Sequence, residues 1–149
     1  MVVITKNKKA FYEYEILEQH TCGIKLQGSE VKSIKNNKIS ISEAYCFIDE
    51  NLEIFLKGSH ITPNKEGGKH YNHQPVRDRK LLMKKKEIIK LKEKIGEKGF
   101  TLVPLSVIIT NTGFIKVEIG LGRGKKLYDK REAIKNKDLA RENNRQLKT

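Results

Sequence analysis

The side chains best placed to do chemistry in this 149-residue chain are cations. In Gly120-Leu-Gly-Arg-Gly-Lys-Lys-Leu-Tyr-Asp-Lys-Arg131, four of them (Lys125, Lys126, Lys130 and Arg131) surround one aromatic, Tyr128, with Asp129 interleaved and Gly124 just before. Lysine and arginine bind phosphates by releasing condensed counterions, and a ring among them can stack on a base. Gly120, Gly122 and Gly124 precede the cluster and allow backbone turns that other residues resist. A second basic cluster, Arg77, Arg79, Lys80, Lys84, Lys85 and Lys86, follows a long stretch punctuated by Gly58, Pro63, Gly67, Gly68 and Pro75. It reads either as phosphate contacts or as the solvated start of a helix.

Other chemistries lack their parts. His70-Tyr-Asn-His73 has the look of a metal pair, but zinc needs about four N or S ligands and no cysteine stands nearby in sequence. Gly120-x-Gly-x-Gly is not a phosphate-binding loop, because it lacks the spacing to a following Gly-Lys-Ser/Thr. No Ser, His, Asp or Cys order marks a nucleophile, and Glu30, Asp49 and Asp129 are not paired for two-metal catalysis. The expectation is a binding protein, not an enzyme, with no cofactor and no metal. Glu30 reads equally as a helix-start charge and as a functional carboxylate.

Charge supports a polyanionic partner. Lys and Arg number 31 against 18 acidic residues, a net +13. Residues 1–119 hold 21 basic and 14 acidic residues, a net +7, and residues 120–149 hold 10 and 4, a net +6. Both body and tail are therefore basic, which fits two contact surfaces. Cys22 and Cys46 are the only cysteines. No run approaches the roughly 20 apolar residues that span a bilayer, and no signal peptide is visible. A cytoplasmic protein with reduced thiols, no membrane partner and a monomeric state is expected.

The elements that must carry these residues are mostly strands. Phe11 to Leu17 alternates as a strand, Gln19 to Gly23 interrupts it, and Gly23 to Gln27 resumes. Gly28 to Lys35 changes to a helical period, with Ser29 as its cap, Glu30 in its first turn and Lys32 and Lys35 at its end. Extended runs around Ile39–Ile48 and Leu52–Leu56 flank an Asp49-Glu-Asn51 turn. Arg77–Met83 closes as another strand. Lys84–Lys98 is the clearest helix, with Ile88, Leu91 and Ile95 on one stripe and Gly96 and Gly99 ending it. Thr101–Ile109 and Phe114–Ile119 make a hairpin about Asn111-Thr-Gly113; Pro104 implies an edge or a bulge. Beyond Gly120 apolar residues become too sparse to build a core. Six or seven short strands with these helices predict a mainly β, OB-like closed antiparallel barrel over 1–121. Residues 122–149 form a basic tail, disordered when free and helical when bound. These residues leave open an RNA-binding adaptor, an RNA-processing enzyme on an OB-type barrel, and a ribosome-binding structural protein.

Several motifs narrow that choice. Asn7-Lys-Lys-Ala-Phe-Tyr-Glu-Tyr-Glu-Ile16, Gly28-Ser-Glu-Val-Lys-Ser33, Arg79-Lys-Leu-Leu82, Glu97-Lys-Gly-Phe-Thr-Leu-Val-Pro-Leu105 and Gly124-Lys-Lys-Leu-Tyr-Asp-Lys-Arg131 stand in the order of the small protein B family. The chain resembles those bacterial SsrA-binding proteins from about residue 7 to 147. The resemblance implies an OB-like barrel with about three helices. It also implies binding to the tRNA-like domain of transfer-messenger RNA, and a tail that enters the empty mRNA channel of stalled ribosomes, against small-subunit rRNA, during trans-translation. It places RNA contacts at Asn7, Lys8, Lys9, Leu82 and Lys116, with Thr21 at the position of a family contact; the expected RNA-binding set also takes in Glu30, Arg79 and Lys80. Gly124, Lys125, Lys126, Tyr128, Asp129, Lys130 and Arg131 would then lie in the decoding centre. The chain departs from the family pattern at Thr21, where a glutamate is usual, at Cys22-Gly23, where Ala-Gly is usual, and at Tyr128, where histidine is frequent. A tyrosine keeps the ring for stacking and gives up protonation near neutral pH.

Overall fold

The structure, a computed structural model, describes residues 1–64 and 72–125. In chain order it contains β1 (Val2–Lys6), α1 (Lys8–Glu13), β2 (Tyr14–Ile24), α2 (Gly28–Lys35), β3 (Ile39–Ser40), β4 (Tyr45–Ile48), β5 (Ile54–Lys57), β6 (His60–Ile61), β7 (Arg79–Leu82), α3 (Lys85–Lys98), β8 (Thr101–Ile109) and β9 (Ile115–Gly124). Seven strands form one sheet in the order β1-β8-β9-β2-β7-β5-β4, and β3 pairs with β6 in a small second ladder. Every pairing is antiparallel. The sheet curls until β4 lies beside β8, giving the expected mainly β, OB-like barrel with three helices. Its hydrogen-bonded order is open, with β1 and β4 as the two edges.

The barrel is held by its inner face. Ile54, Leu56, Leu81, Val117, Ile119 and Leu121 are buried there. Ile34 of α2 and Ile88 and Leu91 of α3 join the same core, which is the stripe that the 3.6-residue period predicted for α3. Each such side chain contributes about 1.5–3 kcal/mol by leaving water. A second, smaller cluster sits apart: Ala10 of α1 packs with Val103 and Leu105, beside Phe11, Tyr14 and Ile16. Gly120 makes that cluster fit. A Cβ there would meet Leu105 Cδ1 at 2.9 Å and Ile16 Cγ2 at 3.0 Å. The glycines expected to turn the chain at 120–124 instead lie within β9, which runs on past Leu121 to Gly124.

Several local expectations change. Phe11–Glu13 is helical, not extended, because Asn7 caps α1: its Oδ1 accepts from the Ala10 N–H at 3.1 Å. β2 is one unbroken strand of 11 residues, with an irregularity between Ile16 and Glu18, and Gln19 to Gly23 belongs to it. Val2–Lys6, ahead of the basic Lys8 and Lys9, is a strand on β8. Gln27, not Ser29, caps α2. Gly99, with φ of 69°, ends α3 and donates to the Ile95 carbonyl, whereas Gly96 lies inside the helix. Pro104 marks a bulge, not an edge: register against β9 shifts between Pro104 and Ser106, in a strand flanked by β1 and β9.

Candidate nucleic-acid interface

Three strands set up the most suggestive surface. Gly23 of β2 pairs with Leu82 of β7 on one side and with Lys116 of β9 on the other. Directly paired residues share a face, so Leu82, Gly23 and Lys116 form one row across the outside of the barrel. Gly23 has no side chain, and Leu82 lies over it: a Cβ on Gly23 would sit 3.2 Å from Leu82 Cβ. Leu82 nevertheless remains 51% exposed. Two residues along β2, on the same face, Thr21 is exposed and pairs with Glu118. Glu118 accepts a 2.5 Å hydrogen bond from Ser106 Oγ. The result is a shallow apolar step with an ammonium on one side and a hydroxyl along it. Such a surface suits a sugar or base face with its phosphate. Lys80 lies two residues before Leu82 on the same face of β7, 2.6 Å from Glu53. An exposed pair of this kind is worth about 0–1 kcal/mol and yields readily to a phosphate.

The basic lead-in occupies a different edge. Lys8 and Lys9 are exposed on α1, with Lys9 3.3 Å from Glu43. The same edge receives the end of β9: the Lys125 N–H donates to the Glu13 carbonyl at 2.7 Å, and Lys125 Nζ donates to the Phe11 carbonyl at 3.3 Å. Arg123 pairs with Glu15 alongside. Gly124 and Lys125 are thereby fixed against α1 and the start of β2, beside Lys8 and Lys9.

Three of the expected RNA contacts point inward. Asn7 is 4% exposed. Besides capping α1, its Nδ2 donates to the Ile41 and Pro104 carbonyls at 3.2 and 2.9 Å, and its N–H donates to Leu105. Glu30 and Arg79 are both fully buried. Glu30 accepts from Arg79 Nε at 2.7 Å, from Arg77 Nε and Nη2 at 2.9 and 2.6 Å, and from the Gln27 N–H at 2.8 Å. The rest of the Arg79 guanidinium donates to Ser59, Arg77, Gln74 and Pro75. Burial pushes the Glu30 carboxyl up, but the Arg77 and Gln27 hydrogen bonds and the Arg79 charge outweigh it and hold the group below its usual range. Burial likewise lowers Arg79, opposed by Glu30. This cluster ties α2, β7 and residues 74–77 together, so the basic run 77–86 divides. Arg77 and Arg79 serve the interior clamp, Lys80 faces outward, and Lys84, Lys85 and Lys86 are exposed around the start of α3.

His73 belongs to the interior too. It is buried, its Nε2 donates to the Ile61 carbonyl at 2.8 Å and its Nδ1 meets Ser29 Oγ at 2.8 Å. Among the described residues no group of three or more His, Cys, Asp and Glu could hold a metal ion. Cys22 is buried, and that burial, with the Glu87 charge, pushes its thiol up to about 12. Lys126, Tyr128, Asp129, Lys130, Arg131 and the rest of the expected tail lie outside the described residues, as does His70. Gly23, under Leu82, is absent from the contacts that residue type suggests. Its signal was in the sequence, since an isolated glycine within an alternating strand marks a close approach.

Comparison with known proteins places the chain in a family. The sequence model described as SmpB protein matches residues 4–149. The SsrA-binding protein of Cytophaga hutchinsonii is 50% identical over 137 residues, which cover 92% of this chain and 88% of that one. The SsrA-binding protein of Bacillus velezensis is 49% identical over 140 residues, covering 94% and 88%. A solved chain described as "tmRNA-SmpB: a journey to the center of the bacterial ribosome" superposes with a TM-score of 0.69 at 39% identity, covering 96% of this chain and 98% of that one. The chain belongs to the SmpB protein family.

Proposed function

We propose that this protein is a non-enzymatic RNA-binding adaptor of trans-translation in the cytoplasm. Its body grips the tRNA-like domain of transfer-messenger RNA, and its tail follows the empty mRNA channel of a stalled ribosome. The observation that carries the reading is that the family match spans both parts, residues 4–149, with relatives named SsrA-binding proteins at about half identity.

Within the body, Thr21, Leu82 and Lys116 form the central contact row, with Lys80 beside it and Lys8 and Lys9 at the edge where the tail departs. Asn7, Glu30 and Arg79 act from inside: they hold α1, α2 and β7 in the positions that shape those surfaces. In the tail, Lys126, Lys130 and Arg131 present cations to small-subunit rRNA around Tyr128, whose ring stacks on a base, with Asp129 beside it, and Gly124 and Lys125 anchor the root of the tail against α1. The monomer suffices for this assignment, and no metal or cofactor enters it.

The test is affinity of the full chain for the tRNA-like domain and for an ordinary tRNA across a salt series. Preference for the tRNA-like domain that survives moderate salt supports the reading. Equal affinities that fall together with salt would mean that the net charge alone holds RNA, and would overturn it.

A further inference from the structure

The outer surface of β4, β5 and β7 carries a row that the function above leaves mostly unused. Phe47 of β4 stands opposite Phe55 of β5, and Phe55 stands opposite Lys80 of β7. The alternate residues Ile54, Leu56 and Leu81 are buried, so the row faces water, with Phe47 44% exposed. Lys57 Nζ lies 4.5 Å from the centroid of the Phe47 ring. Next to Phe55 the surface falls into a groove of about 310 Å³ that is bordered by Lys25, Lys80 and Asp78. That volume is at the lower end of the range for small-ligand sites, roughly 300–1,000 Å³, the scale of one nucleoside.

Ring faces beside ammonium groups are the combination that single-stranded nucleic acids use: bases stack on the rings and phosphates follow the cations. A duplex offers no free base face, so the partner of such rings is unpaired. Asp78 lies 3.6 Å from Lys57, and Glu53 pairs with Lys80. Both pairs are partly exposed, and a phosphate displaces such partners at little cost. Lys25 is exposed and lines the same groove. We propose that this face is a second RNA contact, which takes two or three unpaired nucleotides: one base on Phe47, the next in the groove beside Phe55, with phosphates on Lys57, Lys80 and Lys25. The proposal does not rest on the row at Leu82, Gly23 and Lys116.

The experiment uses the full isotopically labelled chain and an unstructured adenosine RNA hexamer at moderate salt. Backbone amide shifts are expected at Phe47, Phe55, Lys57 and Lys80, and Phe47→Ala, which removes a stacking ring, should weaken hexamer binding about tenfold. Phe114→Ala, at an exposed ring outside this face, should leave hexamer binding unchanged. Shifts confined to the tail or to the Lys116 face would overturn the proposal, as would a hexamer affinity unaltered by Phe47→Ala; either would leave the aromatic face to a protein partner. The shift map is read on the unaltered chain, so it decides the matter even where the variant folds poorly.

Discussion

Replacing Glu30 by glutamine tests whether this carboxylate acts by holding the fold. Glu30 is wholly buried and accepts four hydrogen bonds, three of them from guanidinium groups. Glutamine keeps the volume, removes the charge and turns an NH2 group toward the Arg77 and Arg79 donors. Arg79, itself buried, then loses its counter-charge. Breaking one side of a buried ion pair costs about 3–5 kcal/mol, a large share of the roughly 5–15 kcal/mol that stabilises a domain. Urea unfolding at pH 7 should therefore show a midpoint far below that of the parent. At a temperature where the variant is folded, its affinity for the tRNA-like domain should stay within about twofold, less than 0.5 kcal/mol. The pH dependence gives a second readout. The folded carboxyl titrates below its unfolded value of about 4.3. Its stabilisation is full above that value and is lost as pH falls through the folded pKa, so Glu30→Gln should flatten the acid limb of the parent's stability profile. A stability loss under about 1 kcal/mol, together with a large loss of RNA affinity, would refute the interior role.

Other consequences are separable. Leu82→Ala and Lys116→Ala should each weaken binding to the tRNA-like domain about tenfold, on the order of 1.4 kcal/mol, and only Lys116→Ala should reduce the salt slope, by about one counterion; titrations at two salt concentrations distinguish them. Gly58→Ala should lower stability by about 1–3 kcal/mol, because Gly58 has φ of 79° and a Cβ there would lie 2.9 Å from the Glu43 carbonyl oxygen; thermal unfolding reads this directly. Tyr128→Ala should impair peptide tagging on stalled ribosomes and leave affinity for the free RNA intact; equal loss of both would contradict the assignment of that ring to the ribosome.

Local periodicity told most where local forces decide the outcome. α2 lies at the expected residues 28–35, and the β4–β5 and β8–β9 hairpins turn where Asp49–Asn51 and Asn111–Gly113 placed them. Periodicity failed where distant groups decide. Phe11–Glu13 alternates like a strand, but Asn7 is held by the carbonyls of Ile41 and Pro104, far away in sequence, and that anchor starts a helix. Gln19–Gly23 looked like an interruption because its outward residues are polar, although the β9 ladder runs straight through it. Residue type alone distinguishes exposed Lys8 and half-buried Lys116 poorly from buried Arg79. A cation is legible in a sequence, but the carboxylate that draws it inward is 49 residues away in this chain.

The most direct measurement compares the full chain with one ending after Lys125, the residue whose N–H closes β9 against α1, in two assays: binding to the tRNA-like domain, and tagging on stalled ribosomes. The division between a gripping body and a ribosomal tail predicts that the shortened chain binds the RNA with nearly full affinity and supports no tagging. Loss of RNA binding on shortening, or tagging without residues 126–149, would contradict it.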